Sequence, residues 1–204
     1  PVGGQQVGGD PQVSHLPSLS PAGKYGARSS PGGRKLWDNG QVSWIASHYV
    51  VCQAESRAAS IHIDGDRIVE VEPGIRPDAQ LIDGCLLPGY VDTHCHGAAG
   101  FAFADPNPDG VRAAILHHRR HGSTTLFAST VTETIDDLVE QIIRLRGFID
   151  AGELDGIHLE GPFLAPSRKG AHSLELLRAP DAETVSRLID AGQGAVRMVT
   201  LAPE

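Results

Sequence analysis

Alternating apolar and polar residues between positions 59 and 73 predict two short strands. Their apolar positions are Ile61 and Ile63 on the first strand, then Ile68, Val69 and Val71 on the second. Asp64-Gly65 between them is typical of a tight type I′ turn, because Gly takes positive φ at little steric cost. We therefore expect a β-hairpin ahead of the main body of the chain.

After this hairpin, short apolar runs alternate with stretches of helical periodicity. The apolar runs predict strands at 85–91, 124–129, 156–160 and 196–201. The periodic stretches predict helices at about 109–121, 135–150 and 182–191. Thr134 and Asp181 are suited to cap the second and third helices, and Gly122, Gly152 and Gly192 are suited to end the three. Four βα-type units in series favour a parallel sheet covered by helices, either doubly wound or a (β/α) barrel.

The start of the chain has a different composition. Its first 34 residues include 8 Gly, 5 Pro and 5 Ser, which cannot build an apolar face. We expect residues 1–41 to be a disordered segment. The chain begins with Pro1 and its one methionine is Met198, so we also expect the sequence to be a fragment.

Charge and cysteine content narrow the possible partners and compartment. A formal net charge of -8 disfavours nucleic acid as a partner, because phosphate binders carry a basic face. Three cysteines, an odd number, favour a reducing compartment, and we expect a cytoplasmic protein. No apolar run approaches the roughly 20 residues of a membrane span, and the start lacks a secretory signal, so we expect no membrane association.

The first candidate site follows the strand at 85–91. In an extended segment alternate side chains share a face, so His94 and His96 project together while Cys95 points to the other side. Two imidazoles aimed at one point are typical metal ligands. A bare H-x-H pair is two histidines in a polar loop about as often as it is a metal site. The position of this pair at a strand end favours the metal site.

The second candidate site is at the end of the strand at 156–160. His158 and Glu160 share a face, and Glu160 is the last strand residue, where a carboxylate can reach a metal above the sheet. Separate strands of a barrel converge on one mouth, which favours a joint site with His94 and His96. His158 could be a ligand, a partner of a ligand or a satisfied core histidine, and we favour the last two.

The loop after Glu160 is the third candidate. Ser167–His172 combines Arg168 and Lys169 with Gly170, a composition that suits an anionic substrate. A solvated charge run is the alternative interpretation.

The remaining candidates are interpreted as structural residues. We expect a solvated helix face for His117, His118 and His121, and small buried side chains for Cys85 and Cys95. No phosphate-binding glycine motif is present, so nucleotide binding has no positive evidence.

Several of these motifs together resemble a known family. Leu87–Gly97 (LPGYVDTHCHG) resembles the first-strand motif of the amidohydrolase superfamily. Within that superfamily, the chain resembles the N-acetylglucosamine-6-phosphate deacetylases over roughly residues 59 to 204. The further motifs are Gly122–Thr125 (GSTT), His158–Phe163 (HLEGPF), Lys169–His172 (KGAH) and Val199–Glu204 (VTLAPE).

The resemblance implies an α/β fold, the first half of a metal-dependent (β/α)8 barrel preceded by a small β-sandwich element. Residues 42–84 would be part of the sandwich, and residues 85–204 the first four βα units of a truncated barrel. It implies hydrolysis of the acetamide of N-acetylglucosamine 6-phosphate, a small-molecule sugar phosphate, to glucosamine 6-phosphate and acetate. We expect a homo-oligomer for the full-length enzyme.

The resemblance also implies roles for individual residues. Glu160 would be the central metal ligand, His94 and His96 would hold a second metal, and Ala171 with His172 would bind substrate. The cofactor would be one or two divalent cations, Zn²⁺ or Fe²⁺. The family's acid/base aspartate is expected beyond Glu204, so no catalytic residue is assigned here and we expect the fragment to be inactive alone.

Two other functions remain open. One is an amidohydrolase that acts on a cyclic amide, although such enzymes often have a carbamylated lysine where this chain has Glu160. The other is a non-catalytic metal-binding fragment, for which the missing acid/base residue is the evidence.

Overall fold

The computed structural model describes residues 14–16, 43–52, 55–65 and 67–203. Contacts divide the chain into two compact units, with the boundary after Gly89. The segment expected to be disordered, residues 1–41, lies outside the described residues except for Ser14–Leu16. Those three residues form a short strand, which differs from the prediction because the backbone of another strand supplies hydrogen-bonding partners.

The first unit is a β-sheet. Its strands are β1 (Ser14–Leu16), β2 (Ser43–Cys52), β3 (Glu55–Asp64), β4 (Arg67–Pro73), β5 (Gln80–Leu81) and β6 (Cys85–Pro88). The order across the sheet is β1-β6-β2-β3-β4, with β5 paired to β2. β3 is antiparallel to both β2 and β4, and the remaining pairs are parallel.

The predicted hairpin is confirmed as β3 and β4. Asp64 pairs with Arg67, and Gly65 in the turn has a φ of +60°. Ile61 and Ile63 are buried, whereas Val69 is exposed, as strand alternation requires. The core of this unit consists of Ile45, Val50, Ala59, Ile61, Ile63 and Leu86.

The second unit alternates strands and helices. Its elements are β7 (Tyr90–Cys95), β8 (Gly97–Ala98), β9 (Phe101–Ala102), α1 (Pro108–Arg120), β10 (Ser123–Thr130), α2 (Ile135–Asp150), β11 (Gly156–Glu160), α3 (Ala182–Gly192) and β12 (Val196–Thr200). β7, β10, β11 and β12 form a parallel sheet in chain order, and β8 pairs with β9 in a small antiparallel ribbon. The parallel sheet inferred from the βα alternation is therefore confirmed.

The strand predicted at 85–91 is two strands. β6 belongs to the first sheet and β7 to the second, and Gly89 lies between them. Pro88 has no N–H with which to continue a ladder, and Gly89 is weak in a strand interior. The unit boundary therefore falls after Gly89, rather than after residue 84 as the predicted domains had it.

The helix caps agree with the sequence at their amino ends and differ at one carboxyl end. Thr134 accepts a hydrogen bond from the N–H of Asp137, and Asp181 accepts one from the N–H of Thr184. Gly192 is the last residue of α3, and it is Gln193 that takes the left-handed conformation at φ +47°. A Cβ at Gly192 would lie 2.8 Å from the side chain of Val196, so close packing, not helix termination, explains this glycine.

Apolar side chains between helices and sheet form the core of the second unit. From α2, Leu138, Ile142 and Leu145 are buried. Ile157 and Leu159 of β11 are buried in the same cluster. This packing holds the carboxyl ends of the parallel strands in place, and the candidate site lies at those ends.

Candidate metal centre

Three predicted ligands converge at the carboxyl ends of β7 and β11. Glu160 Oε2 lies 3.2 Å from His94 Nε2 and 2.9 Å from His96 Nε2. The two Nε2 atoms are 3.2 Å apart. The predicted common face of His94 and His96 is thus confirmed, and Glu160 is on the same side of the sheet.

The parallel sheet explains why distant residues meet. β10 lies between β7 and β11, with Ala128 opposite both Cys95 and Ile157. His96 follows the last residue of β7, and Glu160 is the last residue of β11. Side chains at the ends of these strands therefore project over the same edge.

The electrostatics favour an ionised carboxylate at Glu160. Its partial burial alone would raise its pKa, but the nearby His94, His96 and His172 outweigh that effect and lower it. His94 and His96 retain 48% and 42% of their side-chain exposure, so a small ion can reach them from solvent. Two imidazole nitrogens and one carboxylate oxygen are a donor set that suits Zn²⁺ or Fe²⁺.

His158 lies beneath this triad and is fully buried. Its Nδ1 is 2.9 Å from Ser129 Oγ and its Nε2 is 2.8 Å from Thr200 Oγ1, so both ring nitrogens have partners. Burial, and secondarily the nearby His94, lower its pKa. The ring packs edge-on against His94 at a centroid distance of 4.6 Å. His158 is therefore a satisfied core histidine that supports His94.

His172 brings the loop after β11 to the same place. Its Nε2 is 3.9 Å from Glu160 Oε2, and its Nδ1 is 2.7 Å from Thr132 Oγ1. The backbone N–H of Thr132 also points at Nδ1, with a donor–acceptor distance of 3.3 Å. Ala171 is exposed beside it, and Lys169 Nζ donates to the backbone carbonyls of Gly170 and His172.

Comparison with solved structures identifies chains of similar fold. A point mutant of N-acetyl-D-glucosamine-6-phosphate deacetylase from Mycobacterium smegmatis, solved in complex with N-acetyl-D-glucosamine-6-phosphate, is 43% identical, with a TM-score of 0.76 over 81% of this chain and 44% of that one. N-acetylglucosamine-6-phosphate deacetylase from Thermotoga maritima is 27% identical, with a TM-score of 0.65 over 78% of this chain and 42% of that one. The chain resembles part of an N-acetylglucosamine-6-phosphate deacetylase.

Curated relatives carry related names. N-acetylgalactosamine-6-phosphate deacetylase of Escherichia coli O157:H7 is 35% identical over 131 residues, which are 62% of this chain and 34% of that protein. N-acetylglucosamine-6-phosphate deacetylase of Bacillus subtilis (strain 168) is 33% identical over 129 residues, 60% of this chain and 33% of that protein. The chain thus spans about a third of the length of these deacetylases. No family model matches it.

The structure adds site residues that the sequence motifs did not single out. Thr132 contacts His172, and Ser129 bonds His158, which also bonds Thr200 of the VTLAPE motif. Ser129 lies directly opposite His158 in the parallel sheet, a pairing that only the structure shows. Thr132 comes after the end of β10, where the spacing of apolar residues does not predict which way a side chain points.

His118 also differs from its expected position on a solvated helix face. Its side chain is 19% exposed and faces Asp92 of β7. Cys95 packs against the core of the second unit, as the strand alternation predicted. No helix in the described part of the chain is long and apolar enough to cross a membrane.

Proposed function

We propose that this chain carries part of the active site of a metal-dependent deacetylase that hydrolyses the acetamide of N-acetylglucosamine 6-phosphate. The products would be glucosamine 6-phosphate and acetate. The observation that carries the proposal is the convergence of His94, His96 and Glu160 in a chain 43% identical to a deacetylase complexed with that sugar phosphate.

The proposed architecture is the first half of a (β/α)8 barrel, preceded in the chain by a small β-sandwich element. Four parallel strands in chain order, connected through helices or loops, support the barrel. The six-stranded sheet of the first unit supports the sandwich. In such a barrel the carboxyl-end mouth is the place where active sites form, and the candidate triad lies at those strand ends.

His94, His96 and Glu160 would hold one or two divalent cations. A cation bound there would polarise the amide carbonyl and lower the pKa of a water molecule. The chain's own part is to present two imidazoles and an ionised carboxylate, with His158 packed against His94 to limit its rotation.

His172 would orient the substrate. The Thr132 backbone N–H can only donate, so Nδ1 of His172 must accept and the proton of the neutral ring resides on Nε2. Nε2 would then donate a hydrogen bond to a substrate oxygen close to Glu160. Ala171 and the basic loop at Arg168 and Lys169 would lie along the sugar phosphate, whose negative charge matches them.

The acid/base step needs a carboxylate positioned to carry a proton to the leaving amine. We propose that this group is an aspartate beyond Glu204. On this proposal the chain by itself does not turn over substrate.

A deacetylase specific for N-acetylgalactosamine 6-phosphate is the second candidate, because one curated relative of that name is 35% identical. The two substrates differ in the configuration of one hydroxyl group. A cyclic amide is less well supported, since the strand-end residue is Glu160 and both curated relatives named above are sugar-phosphate deacetylases.

The test measures acetate release from both sugar phosphates, with Zn²⁺ or Fe²⁺ added, by the chain and by a version of the protein extended beyond Glu204. We expect release by the extended protein and none by the chain. Glu160→Gln should abolish release, whereas the exposed His48→Ala should leave it unchanged. Release by the chain alone, or full activity of Glu160→Gln, would refute the proposal.

A further inference from the structure

A second group of possible metal ligands lies between β7 and α1. Asp92 and Cys95 come from the strand and His118 from the helix, and one ligand atom of each lies within 4.8 Å of the others. All three are partly buried. None of them contributes an atom to the triad of His94, His96 and Glu160.

A β-bulge brings Asp92 and Cys95 to the same side of β7. Residues three apart on a regular strand point to opposite faces. Here Leu126 is opposite Asp92 and Ala128 is opposite Cys95, so β7 uses one more residue than β10 over this interval. The extra residue reverses the alternation and turns both side chains toward α1.

The hydrogen bond of His118 determines which of its nitrogens is free. Its Nε2 is 3.2 Å from the backbone carbonyl oxygen of Gly97, and a carbonyl can only accept. In the neutral ring the proton is therefore on Nε2, and Nδ1 carries a lone pair. Metal-binding histidines characteristically donate their other ring N–H to such a carbonyl.

That lone pair faces a carboxylate. His118 Nδ1 is 3.7 Å from Asp92 Oδ2, which is longer than a hydrogen bond. The other carboxylate oxygen, Asp92 Oδ1, has a different partner: it accepts a hydrogen bond from the backbone N–H of His94 at 3.3 Å. Two electron-rich atoms that face each other across a short gap leave room for a cation between them.

Cys95 adds a sulfur ligand beside this gap. Its thiol donates to the backbone carbonyl of Phe127, with an Sγ–O distance of 3.8 Å. To bind a metal, the thiol must give up its proton, because the thiolate is the ligand. A bound cation replaces that proton, which is released to solvent.

We propose that Asp92, Cys95 and His118 form a second cation site, separate from the triad, that takes a thiophilic divalent metal such as Zn²⁺ or Cd²⁺. A thiolate and a carboxylate together balance the charge of a divalent ion. Tetrahedral Zn²⁺ coordination places such ligand atoms roughly 3.3 to 3.6 Å apart. The three ligand atoms lie within 4.8 Å of one another, so they would move inward around the ion. Occupation would link β7 to α1.

The test uses Cd²⁺, because a cadmium–thiolate bond gives an ultraviolet charge-transfer band that histidine and carboxylate ligands do not give. Cys52→Ser and Cys85→Ser together leave Cys95 as the single thiol of the chain. We expect this double variant to develop the band and to saturate with one equivalent of Cd²⁺ at this site. Adding Cys95→Ala should abolish the band, and far-ultraviolet circular dichroism would verify that the variant is folded.

Two further variants separate this site from its surroundings. His118→Ala should weaken the affinity for Cd²⁺ by about tenfold or more, whereas His121→Ala, an exposed residue just after the same helix, should not change it. His94→Ala with His96→Ala should leave the band in place, which makes the result independent of the proposed deacetylase function. Absence of a band with Cys95 as the single thiol, or a band that requires His94 and His96, would overturn the proposal.

Discussion

Gly161 controls the space in which Thr132 meets His172. It has a φ of +82°, and a Cβ added there would overlap Thr132 Oγ1 and lie 3.6 Å from His172 Nδ1. Any larger residue must push Thr132 away. The contact that orients His172 next to Glu160 thus depends on the absence of a side chain at a neighbouring position.

Gly161→Ala should therefore be more damaging than an ordinary glycine substitution. We expect loss of the Thr132–His172 contact, seen as a shift of the His172 imidazole signals in nitrogen-15 NMR, together with a lower free energy of unfolding. Gly170→Ala is the matched control, because Gly170 also has a positive φ but has open space around it. Gly170→Ala should lower the free energy of unfolding only by the backbone strain, about 1–2 kcal/mol. Equal effects of the two substitutions would contradict this account.

At the scale of elements, side-chain caps define where the helices of the second unit begin. Thr134 accepts from the N–H of Asp137, and its hydroxyl donates to the Asp137 carboxylate at 2.6 Å. This arrangement satisfies a helix N–H that would otherwise lack a partner. It also explains why α2 starts at Ile135, as the sequence predicted.

Thr134→Ala should lower the free energy of unfolding by about 1 kcal/mol, since it removes the cap acceptor. Thr134→Ser keeps the hydroxyl and should retain most of that stability. Urea denaturation of the two variants measures the difference. A Thr134→Ser variant as unstable as Thr134→Ala would show that the methyl group, and not the cap, is what matters.

At the scale of the whole molecule, all three ligands of the candidate metal centre belong to the second unit. The first unit has its own core around Ile61, and the second has a core that includes Leu159, the residue before Glu160. A cavity in the core of the second unit should therefore change the metal affinity of the centre, whereas a cavity in the core of the first unit should not.

We expect Ile61→Ala and Leu159→Ala each to cost about 2–5 kcal/mol in their own unit, because both side chains are fully buried. Only Leu159→Ala should weaken Zn²⁺ binding, since the cavity it leaves loosens the end of β11. Calorimetric titration with Zn²⁺ compares the two variants. A similar loss of affinity in both would mean that the metal centre depends on the first unit as well.

The sequence by itself determined the elements whose signals are local. Turn chemistry at Gly65, caps at Thr134 and Asp181, and the spacing of apolar residues in α2 depend on neighbours within a few positions. The common face of His94 and His96 is also local, because they are two residues apart on one extended segment. A single strand over 85–91 was a wrong prediction for the opposite reason: sheet membership is not a local property.

Only the tertiary structure decided which side chains meet across strands. The bulge at Asp92 and Cys95 depends on pairing with β10, and the role of His158 on hydroxyl groups of β10 and β12. Thr132 reaches His172 forty positions later in the chain. Such contacts result from register and packing between segments far apart in sequence, and the pattern within any one segment contains no information about them.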